Sequence, residues 1–210
     1  MFKNFSINRY FCLELCNCSL DHVFLPAEHK NKYEGKMPSH LEAMTQLAEG
    51  LVYIHSRNLV HRDIKPQNVL ILMESEQSIV MKWADFGLSK RISVKGTYSM
   101  TNSGTVGWMS PEVLKKWHFP PEGEEAAFDE NLLDMDEEPS ENRGTPKSDV
   151  FSAGCVFAYL LLGGKHPYGS PIMKVPGRIH KGKIVNLECK LLFITCVTYF
   201  QLASLHITYM

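Results

Sequence analysis

The sequence predicts an α+β fold, mainly helical, with short β-hairpins. Three observations carry this reading. Leu41, Met44, Leu47, Leu51 and Ile54 recur at helical spacing. Two apolar runs, Val69 to Met73 and Ile79 to Trp83, flank the polar stretch Glu74-Ser75-Glu76-Gln77-Ser78 and so form a hairpin. A long apolar stretch from Lys147 to Leu162 closes on Gly163-Gly164, which marks a second helix.

The elements follow in chain order. Residues 10 to 16, aromatic and apolar, read as a short strand. A polar stretch leads to Ser39, with Glu42 three residues later, which is a capping box. A helix is expected over 40–57, with Asn58 well suited to end it. Residues 88 to 110 are rich in Ser, Thr and Gly without a period and read as a loop. Residues 120–145 are acidic, hold three prolines and few large hydrophobes, and read as a disordered surface insertion. From Glu122 to Glu141 there is no Lys or Arg. After about 175 the pattern is lost until an apolar tail at 191–210. That tail holds no Asp, Glu, Lys or Arg, with His206 as its one titratable cation, and is open to three readings: a membrane anchor, a buried helix, or a stretch foreign to the fold. No internal repeat is visible.

A chain of 210 residues suits one domain with a real core. Its net charge of -1 gives no reason to expect nucleic acid. Cys12, Cys16, Cys18, Cys155, Cys189 and Cys196 form no CxxC pair and no His cluster completes a zinc site. Scattered thiols of this kind suit a reducing compartment, with Cys155 buried in its helix. Lys3, Arg9 and Glu14 interrupt any apolar signal at the N-terminus.

The chemistry is concentrated in His61-Arg62-Asp63-Ile64-Lys65-Pro66-Gln67-Asn68, followed one hairpin later by Asp85-Phe86-Gly87. This is the residue set that phosphoryl transfer needs. Asp63 is the candidate base that orients a substrate hydroxyl. Lys65 can neutralise the γ-phosphate of ATP. Asn68 offers a neutral oxygen to Mg2+ and Asp85 a carboxylate, both hard ligands of the kind that ion prefers. Gly87 is expected to free the dihedrals after Phe86. A lone HRD or DFG is a weak signal; the full set in order around a hairpin is a strong one. Arg62 is placed to clamp a phosphorylated residue of the following loop, where Ser89, Ser93, Thr97, Ser99, Thr101, Ser103 and Thr105 are the candidates.

With these residues the chain resembles the protein kinases. Gly104-Thr105 and Ser110-Pro111-Glu112 look like the end of an activation segment, and Asp149-Val150-Phe151-Ser152-Ala153-Gly154 like the start of the large buried helix of the C-lobe. The wording Ile64-Lys65-Pro66-Gln67-Asn68, with Thr105, is of the serine/threonine type. Leu13-Glu14-Leu15-Cys16, Gly107-Trp108-Met109, Cys155-Val156-Phe157 and Gly164-Lys165-His166-Pro167-Tyr168-Gly169 extend the resemblance to the Ire-type kinase/endoribonucleases of the unfolded protein response. It covers roughly residues 5 to 170 outside the acidic stretch. The resemblance implies ATP and Mg2+ as cofactors, a protein substrate or a second copy in trans, and a homodimer. It implies that Glu14 and Cys16 are hinge residues holding adenine through their backbones, that Leu13 is the gatekeeper, that Leu70 packs under the adenine, and that Asp149 braces the catalytic loop.

The departures from the family are as informative. No Gly-rich loop, strand lysine or helix glutamate precedes the catalytic loop, and no arginine to pair with Glu112 and no ribonuclease domain follow. The expectation is therefore a kinase C-lobe with the small lobe essentially missing: residues 1–17 as its last strand and hinge, 18–187 as a partial C-lobe, 188–210 as the apolar tail. The function expected is a fragment of a serine/threonine protein kinase. The alternative is a catalytically inactive C-lobe that binds or scaffolds a partner. A cytoplasmic location follows, on the cytosolic face of the endoplasmic reticulum for a full-length parent of Ire type. No nucleic-acid partner is assigned to this chain.

Overall fold

The structure is a computed structural model that describes residues 12–93, 97–99, 104–116 and 143–186. Strand β1 (Cys18–Ser19) leads into a short helix α1 (Leu20–Val23) and then the long helix α2 (His40–Ser56). Strand β2 (Leu59–Val60) follows, then the hairpin of β3 (Val69–Met73) and β4 (Ile79–Trp83). Beyond it come β5 (Lys90–Arg91), β6 (Tyr98–Ser99) and helix α3 (Pro111–Lys116). Strand β7 (Arg143–Gly144), helix α4 (Lys147–Leu161) and helix α5 (Val175–His180) complete the described elements. The mix of helices with small antiparallel sheets is the α+β class expected.

Helix α2 begins where its cap predicts. The Ser39 hydroxyl accepts from the Glu42 N–H at 3.2 Å, satisfying one of the free N–H groups of the first turn. It ends at Asn58, whose φ of 56° is the left-handed turn that stops a helix. Ala43, Leu47, Leu51 and Ile54 form its buried face. Leu41 does not join them and is 71% exposed, because the packed stripe passes through Ala43 in the first turn.

That face packs on the hairpin. Strands β3 and β4 pair antiparallel in the register expected, from Val69 with Trp83 to Met73 with Ile79. Val69, Ile71, Met81 and Trp83 turn inward. Polar side chains lock the contact: Trp83 Nε1 donates to the Leu47 carbonyl at 2.8 Å, and Gln46 bonds to both Ile79 and Met81 of β4. Gly50 leaves room for the Trp83 ring, which a Cβ there would approach at 3.2 Å. Each fully buried side chain of this layer stabilises the fold by about 1.5–3 kcal/mol.

Helix α4 is buried on nearly every side, which is why its sequence is apolar all round. Gly163 and Gly164 follow it at φ 61° and 87°. Gly164 also lies where a Cβ would collide with Phe24, so the close approach and the backbone turn both demand glycine. Cys155 is buried in this helix, and Cys12, Cys16 and Cys18 are free thiols as expected.

Four expectations need correction. Residues 12–16 form no strand; pairing starts only at Cys18, opposite Ile71, and Leu13 and Leu15 stand 84% and 91% exposed with no neighbouring strand among the described residues. The loop at 88–110 contains β5, which pairs with β2, and β6, which pairs with β7. Beyond 175 the chain forms α5. Gly87 does not adopt a positive φ; that conformation belongs to Asp85. The central residues of the acidic stretch and the tail at 191–210 lie outside the described residues. No described helix is long and apolar enough to cross a membrane.

Candidate active site

The turn at Asn58 sends the chain through β2 into residues 61–68. This loop is held from beneath by Asp149, in the first turn of α4 and 1% exposed. Its Oδ2 accepts from the His61 N–H at 2.7 Å and its Oδ1 from the Arg62 N–H at 2.9 Å. His55 Nε2 of α2 lies 3.0 Å from the same carboxylate. One side chain thus satisfies two successive backbone donors in a loop where Arg62 has φ 72°.

His61 is fully buried. Its Nε2 bonds to the Ala84 carbonyl at 2.9 Å, so Nε2 carries the proton, and its Nδ1 accepts from the Asp63 N–H at 3.3 Å. Burial lowers its pKa, against the pull of Asp149 and the Ala84 bond, and the ring stays neutral. His61 therefore ties the catalytic loop to the strand end that carries Asp85.

Asp63 is 6% exposed and sits at the centre of a polar cluster. Its Oδ1 accepts from Thr105 Oγ1 at 2.7 Å, and its Oδ2 from Asn68 Nδ2 at 2.9 Å. Lys65 Nζ lies 2.7 Å from Oδ2 and donates to Thr105 Oγ1 at 2.8 Å. Burial alone would raise the Asp63 pKa. The hydrogen bonds from Lys65, Thr105 and Asn68 outweigh it and hold the carboxyl below its usual range.

Asn68 gives its amide N–H groups to the Asp63 carbonyl and carboxylate, which leaves its oxygen as a neutral donor with no hydrogen-bond partner among the described residues. Asp85 follows at once: the Ala84 N–H donates to the Asn68 carbonyl at 2.9 Å. Asp85 has φ 62°, is exposed, and accepts from the Gly87 N–H at 3.2 Å. A Cβ on Gly87 would lie 3.1 Å from that carboxylate oxygen, so glycine here provides space beside Asp85. Phe86 is 47% exposed and leans on the His61 ring at 4.9 Å.

The structure therefore brings Asp63, Lys65, Asn68 and Thr105 into direct contact and joins Asp85 to them through Ala84. The remaining candidates lie apart from this cluster. Glu14 is ion-paired with Lys82 of β4, Cys16 is half-buried just before β1, and Leu70 is half-buried in β3 opposite Lys82. Among the loop hydroxyls, Ser89 Oγ donates to the His61 carbonyl at 3.4 Å, and Ser93 Oγ lies 3.2 Å from Thr97 Oγ1. Ser99 lies in β6; Thr101 and Ser103 are outside the described residues.

Three features were not anticipated. The hydroxyl of Thr105 bonds directly to Asp63, although the motif position of Thr105 was visible. His55 joins the Asp149 carboxylate across a span of 94 residues, which no local pattern reveals. A cleft of about 850 Å³ opens beside Lys65 and Thr105, walled by Trp108, His166 and Ile172.

The model of the family described as "Protein kinase domain" matches residues 1–188. The sensor for unfolded proteins in the ER, ire1, of Schizosaccharomyces pombe is 32% identical over 85% of this chain and 17% of its own length. The serine/threonine-protein kinase/endoribonuclease IRE2 of Homo sapiens is 34% identical over 79% of this chain and 15% of its own length. The kinase/endoribonuclease ire-1 of Caenorhabditis elegans is 33% identical over 86% of this chain and 17% of its own length. The chain thus spans about a sixth of the relatives it matches. It belongs to the protein kinase domain family and is similar to the kinase part of these Ire-type relatives.

Proposed function

We propose that this chain is the catalytic-loop part of a kinase that transfers the γ-phosphate of ATP to serine or threonine of a protein, in a stress-signalling role like that named for its relatives. The observation that carries the reading is the cluster around Asp63. Its carboxylate is kept ionised and is fixed by three donors, with lone pairs left to accept from a substrate hydroxyl. Lys65 places its ammonium beside that carboxylate, where it can meet a transferring phosphoryl group.

The donor set suits a hard cation. The free oxygen of Asn68 and the exposed carboxylate of Asp85 are the residues that would hold Mg2+, which supplies charge neutralisation on phosphate when bound. At the adenine side, the backbones of Glu14 and Cys16 and the side chain of Leu70 supply one wall. Arg62 serves as the clamp for a phosphorylated loop hydroxyl.

In this reading residues 1–17 are the hinge end of a small lobe and 18–187 a partial C-lobe, and the chain alone binds ATP weakly. The exposure of Leu13, Leu15 and Phe86 supports this. It also favours the second reading, a C-lobe that serves as a binding or scaffold module. Ribonuclease activity is not carried over from the relatives. A place on the cytosolic face of the endoplasmic reticulum is proposed from the relative named as a sensor for unfolded proteins in the ER.

Titration of the chain with ATP in the presence and absence of Mg2+ separates the readings. The kinase reading expects weak binding that strengthens with Mg2+ and loses that Mg2+ dependence in Asp85→Ala. Binding indifferent to Mg2+ and to Asp85 supports the scaffold reading instead.

A further inference from the structure

We propose that the cleft beside Asp63 receives an acidic segment of the protein substrate, so that serines and threonines flanked by Glu or Asp are preferred. This rests on the kinase reading for its consequence, though the docking surface is argued on its own geometry.

The cleft starts at the chemistry. Lys65 and Thr105, which both touch Asp63, line its near end. Its floor is aromatic: Trp108 packs against His166 at 4.5 Å and against Tyr159 at 5.7 Å. Its rim is apolar, with Ile172 51% and Val185 40% exposed. Gly107 allows Ile172 to seat against the segment that carries Thr105, since a Cβ there would lie 2.5 Å from Ile172 Cδ1. The wall next to Ser170 is held by Arg178, whose Nη1 donates to the Tyr168 and Ser170 carbonyls.

Charge identifies the occupant. Among the described residues the charged side chains lining the cleft are Lys65 and Lys165, and no carboxylate lines it. Lys65 is paired with Asp63; Lys165 is exposed and enters no ion pair among the described residues. Residues 143–186 contain seven lysines and arginines and one acid, Asp149, which is buried beneath the catalytic loop. A segment entering from solvent toward Asp63 therefore meets Lys165, and one with acidic residues is both attracted and paired there. A basic segment would face Lys165 with no carboxylate among the described lining residues to receive it.

The test is fluorescence anisotropy on the full chain with two labelled peptides, one serine flanked on both sides by glutamates and the same serine flanked by lysines. The acidic peptide is expected to bind more tightly, to weaken as salt screens the charges, and to lose roughly 5-fold to 10-fold in affinity in Lys165→Glu. Circular dichroism checks that the variant remains folded. Equal binding of the two peptides, or acidic-peptide binding unchanged in Lys165→Glu, overturns the proposal. The outcomes separate it from the kinase reading: acidic-peptide binding without Mg2+-dependent ATP binding leaves the docking surface standing alone. Mg2+-dependent ATP binding with no peptide preference overturns the docking surface alone.

Discussion

Residues 61–68 lead into β3 and residues 12–16 precede its neighbour β1, and they are held in very different ways. In the first, His61, Asp63 and Asn68 are 0%, 6% and 6% exposed and bonded on several sides. In the second, Leu13 and Leu15 are 84% and 91% exposed, and the side-chain tie is the ion pair of Glu14 with Lys82. The catalytic end takes its order from α4, through Asp149, and from the core beneath the hairpin. Residues 12–16 have no such support among the described residues.

Removing the brace should break this contrast most severely. Asp149→Ala leaves the buried N–H groups of His61 and Arg62 unpaired. The expected loss is about 3–5 kcal/mol, read from urea unfolding. A loss below ~1 kcal/mol would show that the loop holds itself.

Next in size is a pH effect at the cleft wall. Burial lowers the His166 pKa from 6.5 to about 4. Between these values the unfolded chain takes up the proton and the folded chain does not, so stability falls as pH falls. His166→Phe should remove up to about 2–3 kcal/mol of that pH dependence. His61, also lowered, remains in both proteins and leaves a residual slope. An unchanged slope would mean that His166 protonates freely in the fold.

Thr105→Val sharpens the account of Asp63. It removes the bond to Oδ1 and should cost about 1 kcal/mol at neutral pH. Because the folded Asp63 pKa is depressed, its stabilisation is present above the usual value of 3.8 and is lost as pH falls through the folded value. The variant should therefore lose less stability on acidification. The smallest effect is expected at the other region: Leu15→Ser should change stability by less than about 0.5 kcal/mol. A larger loss would show that residues 12–16 pack on something after all.

Much of this was legible because it is local. The Ser39 cap, the stripe through Leu47, Leu51 and Ile54, and the hairpin around Glu74–Ser78 each lie within one stretch of sequence. Helix α4 was legible from its all-round apolarity. The two-residue strands were not, because pairs such as Leu59 with Arg91 or Ser99 with Arg143 carry no pattern of their own. The helix opening at Val175-Pro176 is too short to show a period. At the site, residue types at motif spacing pointed to Asp63, Lys65, Asn68 and Asp85. Thr105, which bonds to Asp63 and Lys65, and His55, which meets the Asp149 carboxylate under the loop, are brought in by tertiary packing.

The most direct test joins this chain in frame to a kinase small lobe and measures phosphoryl transfer from Mg2+-ATP, beside the unjoined chain. The account predicts no measurable transfer by the chain alone, transfer by the joined protein, and its loss in the joined protein carrying Asp63→Asn. Transfer by the 210-residue chain alone, abolished by Asp85→Ala, would contradict the proposal that Glu14, Cys16 and Leu70 supply one wall of the nucleotide site.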